Sequence, residues 1–494
     1  MPTVKKIRYA GFPTALVFGE RAASPGKTTG TKPVQQLLWG DWLEVKSEGP
    51  DGWLEVSARG EDGWMHASTV QADRLLEITF VDIGQGDGCI LSTPDDRHVI
   101  VDAGQDDNLY RFLKWRFGRF KKSVTFDAAI LTHSDQDHYG GLRPFVDDPN
   151  VRIRTLYHNG LVERATPVAA DVLGPRVVDG GQRYVTEPIE TLAQLRALLS
   201  NPAQRAGKKY PNLLWDAMES GRVDDVRSLS VRDAHVPGYA PGHASGVELH
   251  VLGPVPDDVG GRPAMKWFGD VGKTKNGHSV VVKAVYKDVT ILLGGDLNIP
   301  AERHLLAHHT RMDPEPADGD EEERFLRAAR GTFECDIAKS CHHGSADFDD
   351  RFMRALNPLA TIISSGDAEP HSHPRADTLG ATGRNSRGRR PLILSTELAR
   401  SAPERIKHPF QLRRELAAAA ADASPEGKAK LDRLLAGLER SVAIYGAINL
   451  RTDGDRVVLA QRIESGSPAK KWDAYALERD AGGSLYYQSK HDAD

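Results

Sequence analysis

Thr132-His133-Ser134-Asp135-Gln136-Asp137-His138-Tyr139-Gly140-Gly141 is the stretch on which the fold turns. Two imidazoles and two carboxylates fall within positions 133–138, straight after the apolar run Ala128 to Leu131 and ahead of a Gly-Gly pair. Neutral imidazole and carboxylate oxygen are the donors that hydrolytic zinc and manganese sites use. A lone His-x-Asp at a strand end is an ordinary polar loop. Four such residues packed into one strand-to-helix turn read as a metal site.

At roughly 100 to 200 residues per domain, a chain of 494 residues holds two to four domains. Apolar residues make up 39% and the formal net charge is −5, so no basic excess advertises nucleic acid, and an acidic substrate needs a local positive patch. The N-terminal segment lacks an apolar run of signal-peptide length, and no window approaches about 18 uninterrupted apolar residues, which predicts a cytoplasmic, non-membrane protein. Cys89, Cys335 and Cys341 are too few and too scattered for a disulfide scaffold or a zinc ribbon, and they suit a reducing compartment. Cys341, beside His342, either lines the site or packs as a small hydrophobe.

Residues 1–74 differ in texture from the rest. The runs Trp42 to Val45, Trp53 to Val56 and Trp64 to His66 alternate around the turn signals Gly49-Pro50-Asp51-Gly52 and Gly60-Glu61-Asp62-Gly63, predicting a small β-barrel. Its Trp39, Trp42, Trp53 and Trp64 supply either core volume or a recognition groove. From Glu77 onward, apolar strands (Ile78 to Ile83, Cys89 to Ser92, Val99 to Val101, Val247 to Leu252, Ser279 to Tyr286, Thr290 to Leu293, Thr361 to Ser364) interleave with helical spacing over Leu109 to Phe120 and Ala301 to His308. Such interleaving predicts a layered α/β core. An insertion over 159–240, with helices at Ile189 to Leu199 and Asn212 to Ser220, is either a lid or a decoration. Asp313 to Arg324 reads as a solvated acidic loop. Residues 404–440 read as a helical insertion, with Ser424-Pro425 as cap and first residue of its second helix. Val442 to Leu450 and Arg456 to Ile463 read as a closing hairpin. The expected division is 1–74, 75–480 and a tail, 481–494.

Five further signals fall near strand ends, where layered α/β folds assemble sites: Val81-Asp82-Ile83-Gly84-Gln85-Gly86-Asp87-Gly88, Ile100-Val101-Asp102-Ala103-Gly104, Gly294-Gly295-Asp296-Leu297, Ser340-Cys341-His342-His343-Gly344-Ser345 and Pro370-His371-Ser372-His373-Pro374. Taken in this order with the opening motif, they resemble the metallo-β-lactamase fold, and VDIGQGDG with SHPR resembles its ComEC-like branch, which includes the hydrolase domain of a competence DNA-uptake channel. The Trp-Gly phrases of the first 74 residues resemble a bacterial SH3-like domain. The resemblance implies an α/β, four-layer αββα sandwich preceded by a small all-β barrel, with a dinuclear metal site between two mixed sheets.

Carried over by motif, the resemblance implies His133 and Asp135 on a first divalent ion, Asp137 and His138 on a second, Asp296 bridging, and His343 as the late histidine ligand. For the middle histidine it offers His278, with Asn276 as an alternative polar contact. Asp102 and His342 are expected to support the ligands, as are Asp82, Gln85 and Asp87 of the glycine-rich turn. Glycine on both sides of Gln85 permits either close approach to a ligand or a plain tight turn. Asp135, where imidazole is commoner, makes the site harder, so manganese or magnesium stands beside zinc.

Two such ions would hold a hydroxide for in-line attack on phosphorus, with Asp137 central to the centre and His373 helping the leaving oxygen depart. Arg384, Arg387, Arg389 and Arg390 are candidate phosphate contacts. The expected function is a metal-dependent phosphodiesterase, a nuclease acting on DNA, in nucleic-acid turnover or antiphage defence. Hydrolysis of a small substrate (cyclic nucleotide, phosphoester, acyl ester or lactam) is the alternative, because fold alone does not choose a substrate. A third reading is a partner-binding adaptor with a vestigial site, its barrel holding a protein or peptide.

Overall fold

The computed structural model describes residues 6–316, 318–366, 371–397, 409–440, 446–463, 466–489 and 491. Its centre is two sheets packed face to face. Ten strands form the larger, in the order Val223–Ser228, Val151–His158, Val124–Ile130, His98–Ala103, Gly88–Ser92, Leu76–Phe80, Ile448–Thr452, Val457–Arg462, Trp472–Arg479, Leu485–Tyr487. Six form the smaller: Val247–Gly253, Val281–Tyr286, Val289–Leu293, Ile337–Lys339, Ala360–Ile363, Leu392–Ser395. Val99, Val101, Ala128 and Ile130 from the first meet Val282, Ile291, Ile337 and Ile362 from the second in one buried core.

The outer faces are covered in turn. Ile100, Phe126, Ala129 and Ile153 pack on helices Asn108–Arg116, Leu192–Leu199 and Lys209–Glu219, while Val281, Leu292 and Ala338 pack on Ile299–Thr310, Gly319–Phe333 and Asp350–Leu356. This is the expected αββα sandwich. Its central strands are buried on both faces, so they read in sequence as apolar runs without alternation. The site lies where Val124–Ile130, His98–Ala103, Val289–Leu293 and Ile337–Lys339 end side by side, His98–Ala103 pairing parallel with Val124–Ile130 and Val289–Leu293 parallel with Ile337–Lys339.

The N-terminal region is a seven-stranded antiparallel sheet, closing on its own apolar core of Val17, Leu37, Leu43, Val56 and Met65. Trp39 and Trp53 are buried, and Trp39 Nε1 donates to Gln71 Oε1 at 2.7 Å. Trp42 is 60% exposed. Of the four tryptophans considered for a groove, Trp53 is thus buried within the barrel and Trp39 at its junction with the sandwich.

Several expectations need correction. Asp313 to Arg324 is not all loop: Asp318 caps helix Gly319–Phe333 by accepting from Glu321 N, and Asp320, Glu321 and Glu322 sit in its first turn, where negative charge meets the positive helix end. The acidity that reads as solvation is start-of-helix chemistry. The tail contains strand Leu485–Tyr487, which extends the large sheet by pairing with Trp472–Arg479. Within the insertion, Val223–Ser228 joins the large sheet beside Val151–His158, and Arg176–Asp179 and Gln182–Thr186 build a four-stranded sheet with Asp257–Val259 and Arg262–Lys266. Helices Pro409–Ala421 and Pro425–Arg440 occupy the C-terminal insertion. Residues 404–408 of that insertion, 442–445 of the expected hairpin strand, and Pro370 lie outside the described residues. No helix among the described residues is long and apolar enough to cross a membrane.

Candidate metal centre

The chain leaves strand Val124–Ile130, turns through Thr132 to Asp135 and enters the short helix Gln136–Tyr139. Asp102, at the end of the neighbouring parallel strand, fixes that turn. Its Oδ1 accepts from Thr132 N at 2.7 Å, and its Oδ2 accepts from Thr132 Oγ1 at 2.7 Å and lies 2.8 Å from His138 Nδ1. Asp102 holds φ at 54°, an uncommon conformation for a residue with a side chain. With Nδ1 engaged, His138 turns Nε2 inward.

His343 is set the same way from the other sheet. It sits in the tight turn Cys341–Gly344 after strand Ile337–Lys339, with φ 53°, and its Nδ1 lies 3.2 Å from Asp87 Oδ1. The other oxygen of Asp87 pairs with the buried Lys339 ammonium. Carboxylate behind imidazole is how ligating histidines are oriented. Asp87 therefore backs His343 as Asp102 backs His138, although it too lies within reach of the cluster.

Three atoms then converge, His138 Nε2, His343 Nε2 and Asp296 Oδ2, with Asp137 Oδ2 beside them. The two imidazole nitrogens are 3.2 Å apart, Asp296 Oδ2 lies 3.3 Å from the first and 3.2 Å from the second, and Asp137 Oδ2 lies 3.7 Å from His343 Nε2. A tetrahedron with bonds of about 2.0–2.2 Å has edges of about 3.3–3.6 Å, so the three close separations suit one face of a divalent ion's coordination shell, with Asp87 also within reach. Asp296 Oδ1 and His133 Nε2 are shut off from solvent with no hydrogen-bond partner, so their polarity is unmatched by the surrounding protein.

The electrostatics agree. Burial opposes charge on His138 and His343, yet Asp296 with Asp102 for the first, and with Asp87 for the second, hold both imidazoles more basic than free histidine, His343 at about 10. Burial likewise opposes the Asp296 carboxylate, and His138, His343 and His342 outweigh it, holding Asp296 well below the usual range. A divalent cation replaces those protons, which makes its affinity rise with pH.

The remaining expected residues spread outward. His133 Nε2 is 3.7 Å from Asp135 Oδ2 and 3.9 Å from Asp296 Oδ2. Asp135 pairs with the Lys275 ammonium, and burial notwithstanding, His133 and Lys275 push its carboxyl below the usual range. His342 Nε2 lies 3.9 Å from Asp296 Oδ2, and the His373 ring sits at the rim, 6.3 Å from the His343 ring and 5.7 Å from that of His342.

His278 is not part of the cluster. Its Nε2 lies 2.8 Å from Lys266 O, its ring stacks on Phe268, and burial holds its pKa down to about 3. The chain turns at the end of helix Val271–Gly277, so the next residue, Ser279, faces the site instead: its Oγ accepts from Asp296 N at 3.0 Å and lies 3.4 Å from His133 Nδ1. Asp82 shapes the glycine-rich loop by accepting from Gly84 N, and Gln85 does so through its carbonyl, which accepts from Gln105 N. Arg387 pairs with Asp336 and donates to two carbonyls, Arg384 pairs with Asp350, and Arg390 donates to His491 O. Three of the four arginines thus serve local structure; Arg389 is exposed. Lys275, Lys339 and Ser279 were missed, because a single lysine or serine carries no spacing signal.

The close approach permitted by Gly86 is to the motif itself. At φ 95°, an added Cβ would lie 1.7 Å from the Asp137 carbonyl oxygen. Gly86→Ala is therefore expected to push Asp137 out of place, costing about 2 kcal/mol or more of stability and weakening metal affinity. Urea unfolding and metal titration check this; unchanged values for both would refute it.

Residues 89–330 match the model of the metallo-β-lactamase superfamily. Over 331 residues the chain is 24% identical to ComE operon protein 3 of Bacillus subtilis (strain 168), a match that covers 63% of this chain and 31% of that protein. The chain thus spans about a third of the length of that relative. Among solved structures, zinc-bound PqqB from Methylobacterium extorquens aligns at 8% identity and TM-score 0.32 over 64% of this chain and 97% of that one. A metallo-β-lactamase from Cronobacter sakazakii aligns at 14% identity and TM-score 0.24 over 51% and 66%. With the sandwich and the donor cluster already in place, the match identifies a metallo-β-lactamase superfamily domain over residues 89–330 of this chain.

Proposed function

We propose that this protein is a divalent-metal-dependent phosphodiesterase that cleaves nucleic acid, with DNA preferred. The observation that carries the reading is the convergence of His138, His343 and Asp296 at the strand ends, with Asp137 and Asp87 beside them, a donor set suited to zinc or manganese. A divalent ion held there supplies a Lewis acid that lowers the pKa of water and offsets charge developing on phosphoryl oxygens. Asp102 and Asp87 keep the imidazoles aimed. The ComEC-like motifs favour nucleic acid over a lactam.

Beside the motif helix runs an open groove of about 510 Å³, lined by Gln105, Gln136, Tyr139, Arg143, Lys208 and Lys209. Lys209, which donates to Gln136 Oε1, and Lys208, 3.6 Å from Glu163 Oε2, are the cations that this groove offers a phosphate backbone. The structural engagement of Arg384 and Arg387 favours a second reading, a small phosphoester substrate. The test is to offer labelled duplex, single strands, RNA and bis-p-nitrophenyl phosphate with manganese, zinc or magnesium, beside Asp137→Ala. Metal-dependent cleavage of DNA that Asp137→Ala abolishes supports the nuclease; turnover of the small ester alone replaces it with the second reading.

His373, at the rim, is placed to give a proton to the departing oxygen. His373→Ala should slow polymer cleavage about 10²- to 10⁴-fold. Hydrolysis of bis-p-nitrophenyl phosphate should barely change, because that leaving group departs without a proton. Equal losses on both substrates would remove His373 from the role.

A further inference from the structure

We propose that Lys275 takes the place of a second metal ion: the centre holds one divalent ion on His138, His343, Asp137 and Asp296, and the Lys275 ammonium is the fixed cation beside it. The inference rests on reading the cluster as a metal centre. The two positions of an expected dinuclear site differ here. Around the first, three donor atoms lie 3.2–3.3 Å from one another. Around the second, His133 Nε2 lies 3.7 Å from Asp135 Oδ2 and 3.9 Å from Asp296 Oδ2, and Asp135 is already engaged by a cation.

Both oxygens of Asp135 are taken. Lys275 Nζ pairs with Oδ1, and the Asn276 amide nitrogen, oriented to satisfy its neighbours, lies 2.9 Å from Oδ2. Lys275 Nζ is also 3.3 Å from Glu163 Oε1, and its side chain is only 13% exposed. The histidine that could have completed a second ligand set, His278, turns away to Lys266 and Phe268. What remains is His133, His342 and a share of Asp296, the two imidazoles each 3.9 Å from Asp296 Oδ2, and an ion among them would have to sit against an ammonium.

The helix carrying Lys275 is tied down. Asp270 caps it by accepting from Lys273 N, Thr274 Oγ1 accepts from Phe268 N at 3.1 Å, and Lys273 O accepts from Asn298 Nδ2 at 2.9 Å. Lys275 is thus held where it points, between Asp135 and Glu163, rather than swinging from the surface. It supplies positive charge next to the ion without competing for water. Lys339 does not share this place, since it pairs with Asp87 behind His343.

The test is metal stoichiometry. Protein dialysed against excess manganese or zinc, then stripped of free ion, is counted by mass spectrometry and titrated calorimetrically as wild type, Lys275→Gln, Lys275→Arg and Asp135→Asn. Wild type, Lys275→Arg and Asp135→Asn should each hold one ion. Lys275→Gln should hold two, its second event roughly tenfold or more tighter than any second event in wild type. Two ions in wild type, one in Lys275→Gln, or loss of the ion in Asp135→Asn overturns the assignment and leaves the metal centre standing. No ion in any of the four overturns both. Asp135→Asn and Lys275→Arg keep the question decidable if Lys275→Gln does not fold.

Discussion

Asp296→Asn is expected to abolish tight metal binding and lower kcat/KM about 10³-fold or more. One oxygen of this carboxylate faces His138 and His343 at 3.3 and 3.2 Å and His133 and His342 at 3.9 Å. Asp87 also reaches imidazoles from both sheets, but through their Nδ1 atoms, 3.2 Å from His343 and 4.0 Å from His138, and Asp102 backs His138 through the same atom. An amide of the same shape keeps the space filled, removes the charge, and offers the ion a much weaker donor. Loss of a Lewis acid worth several kcal/mol corresponds to the stated factor, since each 1.36 kcal/mol is tenfold. Asp102→Asn, acting through His138, should cost only about 10- to 100-fold in metal affinity. Measuring bound metal and initial rates for both variants checks the ranking. If Asp296→Asn stays within tenfold of wild type, this carboxylate is not at the centre of the site.

The motif at 133–138 was legible because its chemistry is dense and local: strand end, turn and helix start place four donors within one short segment. Asp102, Asp296 and His343 were legible for a related reason, each closing an apolar strand that leads to the same edge. The sandwich followed from strands buried on both faces, which leave unmistakable apolar runs. Lys275 and Lys339 were not legible. A lysine becomes part of a site only when chain from elsewhere brings it a carboxylate, Asp135 from 140 positions away and Asp87 from 252. His278 shows the finer limit. The turn after Gly277 rotates the chain so that Ser279, not its neighbour, faces inward. Helix Gly319–Phe333 was hidden by its own first turn, whose acids look like a solvated loop until Phe325, Leu326, Ala329 and Phe333 are seen packing below it.

Arg451→Met is expected to cost about 3–5 kcal/mol of stability and to loosen the N-terminal barrel from the sandwich. Arg451 is 2% exposed, on strand Ile448–Thr452 of the large sheet. Its guanidinium reaches into the barrel, donating to Trp39 O at 2.8 Å and to Asp41 Oδ1 at 3.0 Å, and lies 3.6 Å from Glu77 Oε2. Arg59 also pairs with Asp41 within the barrel and Arg116 with Glu77 within the sandwich, so Arg451 links a buried and a half-buried acid across the junction. Around them Leu38, Trp39 and Leu75 pack on Val458 and Ala460, keeping water out. Methionine fills the volume of the arginine stem but leaves Asp41 and the Trp39 carbonyl short of a donor. The network also sets an acid response. Burial disfavours the Asp41 carboxylate, but Arg59 and Arg451 outweigh it and hold its pKa at about 2, against 3.8 for a free side chain, and Glu77 is lowered in the same sense. Depressed carboxyl pKa values stabilise the fold above the unfolded value, and that contribution is lost as pH falls from about 4 toward 2. Wild type should therefore lose stability steeply in that window, while Arg451→Met starts lower and falls less. Thermal unfolding of both proteins between pH 2 and pH 7, followed by tryptophan fluorescence because Trp39 lies at the junction, tests this. Parallel curves with equal melting temperatures would mean that the apolar contacts alone hold the barrel in place.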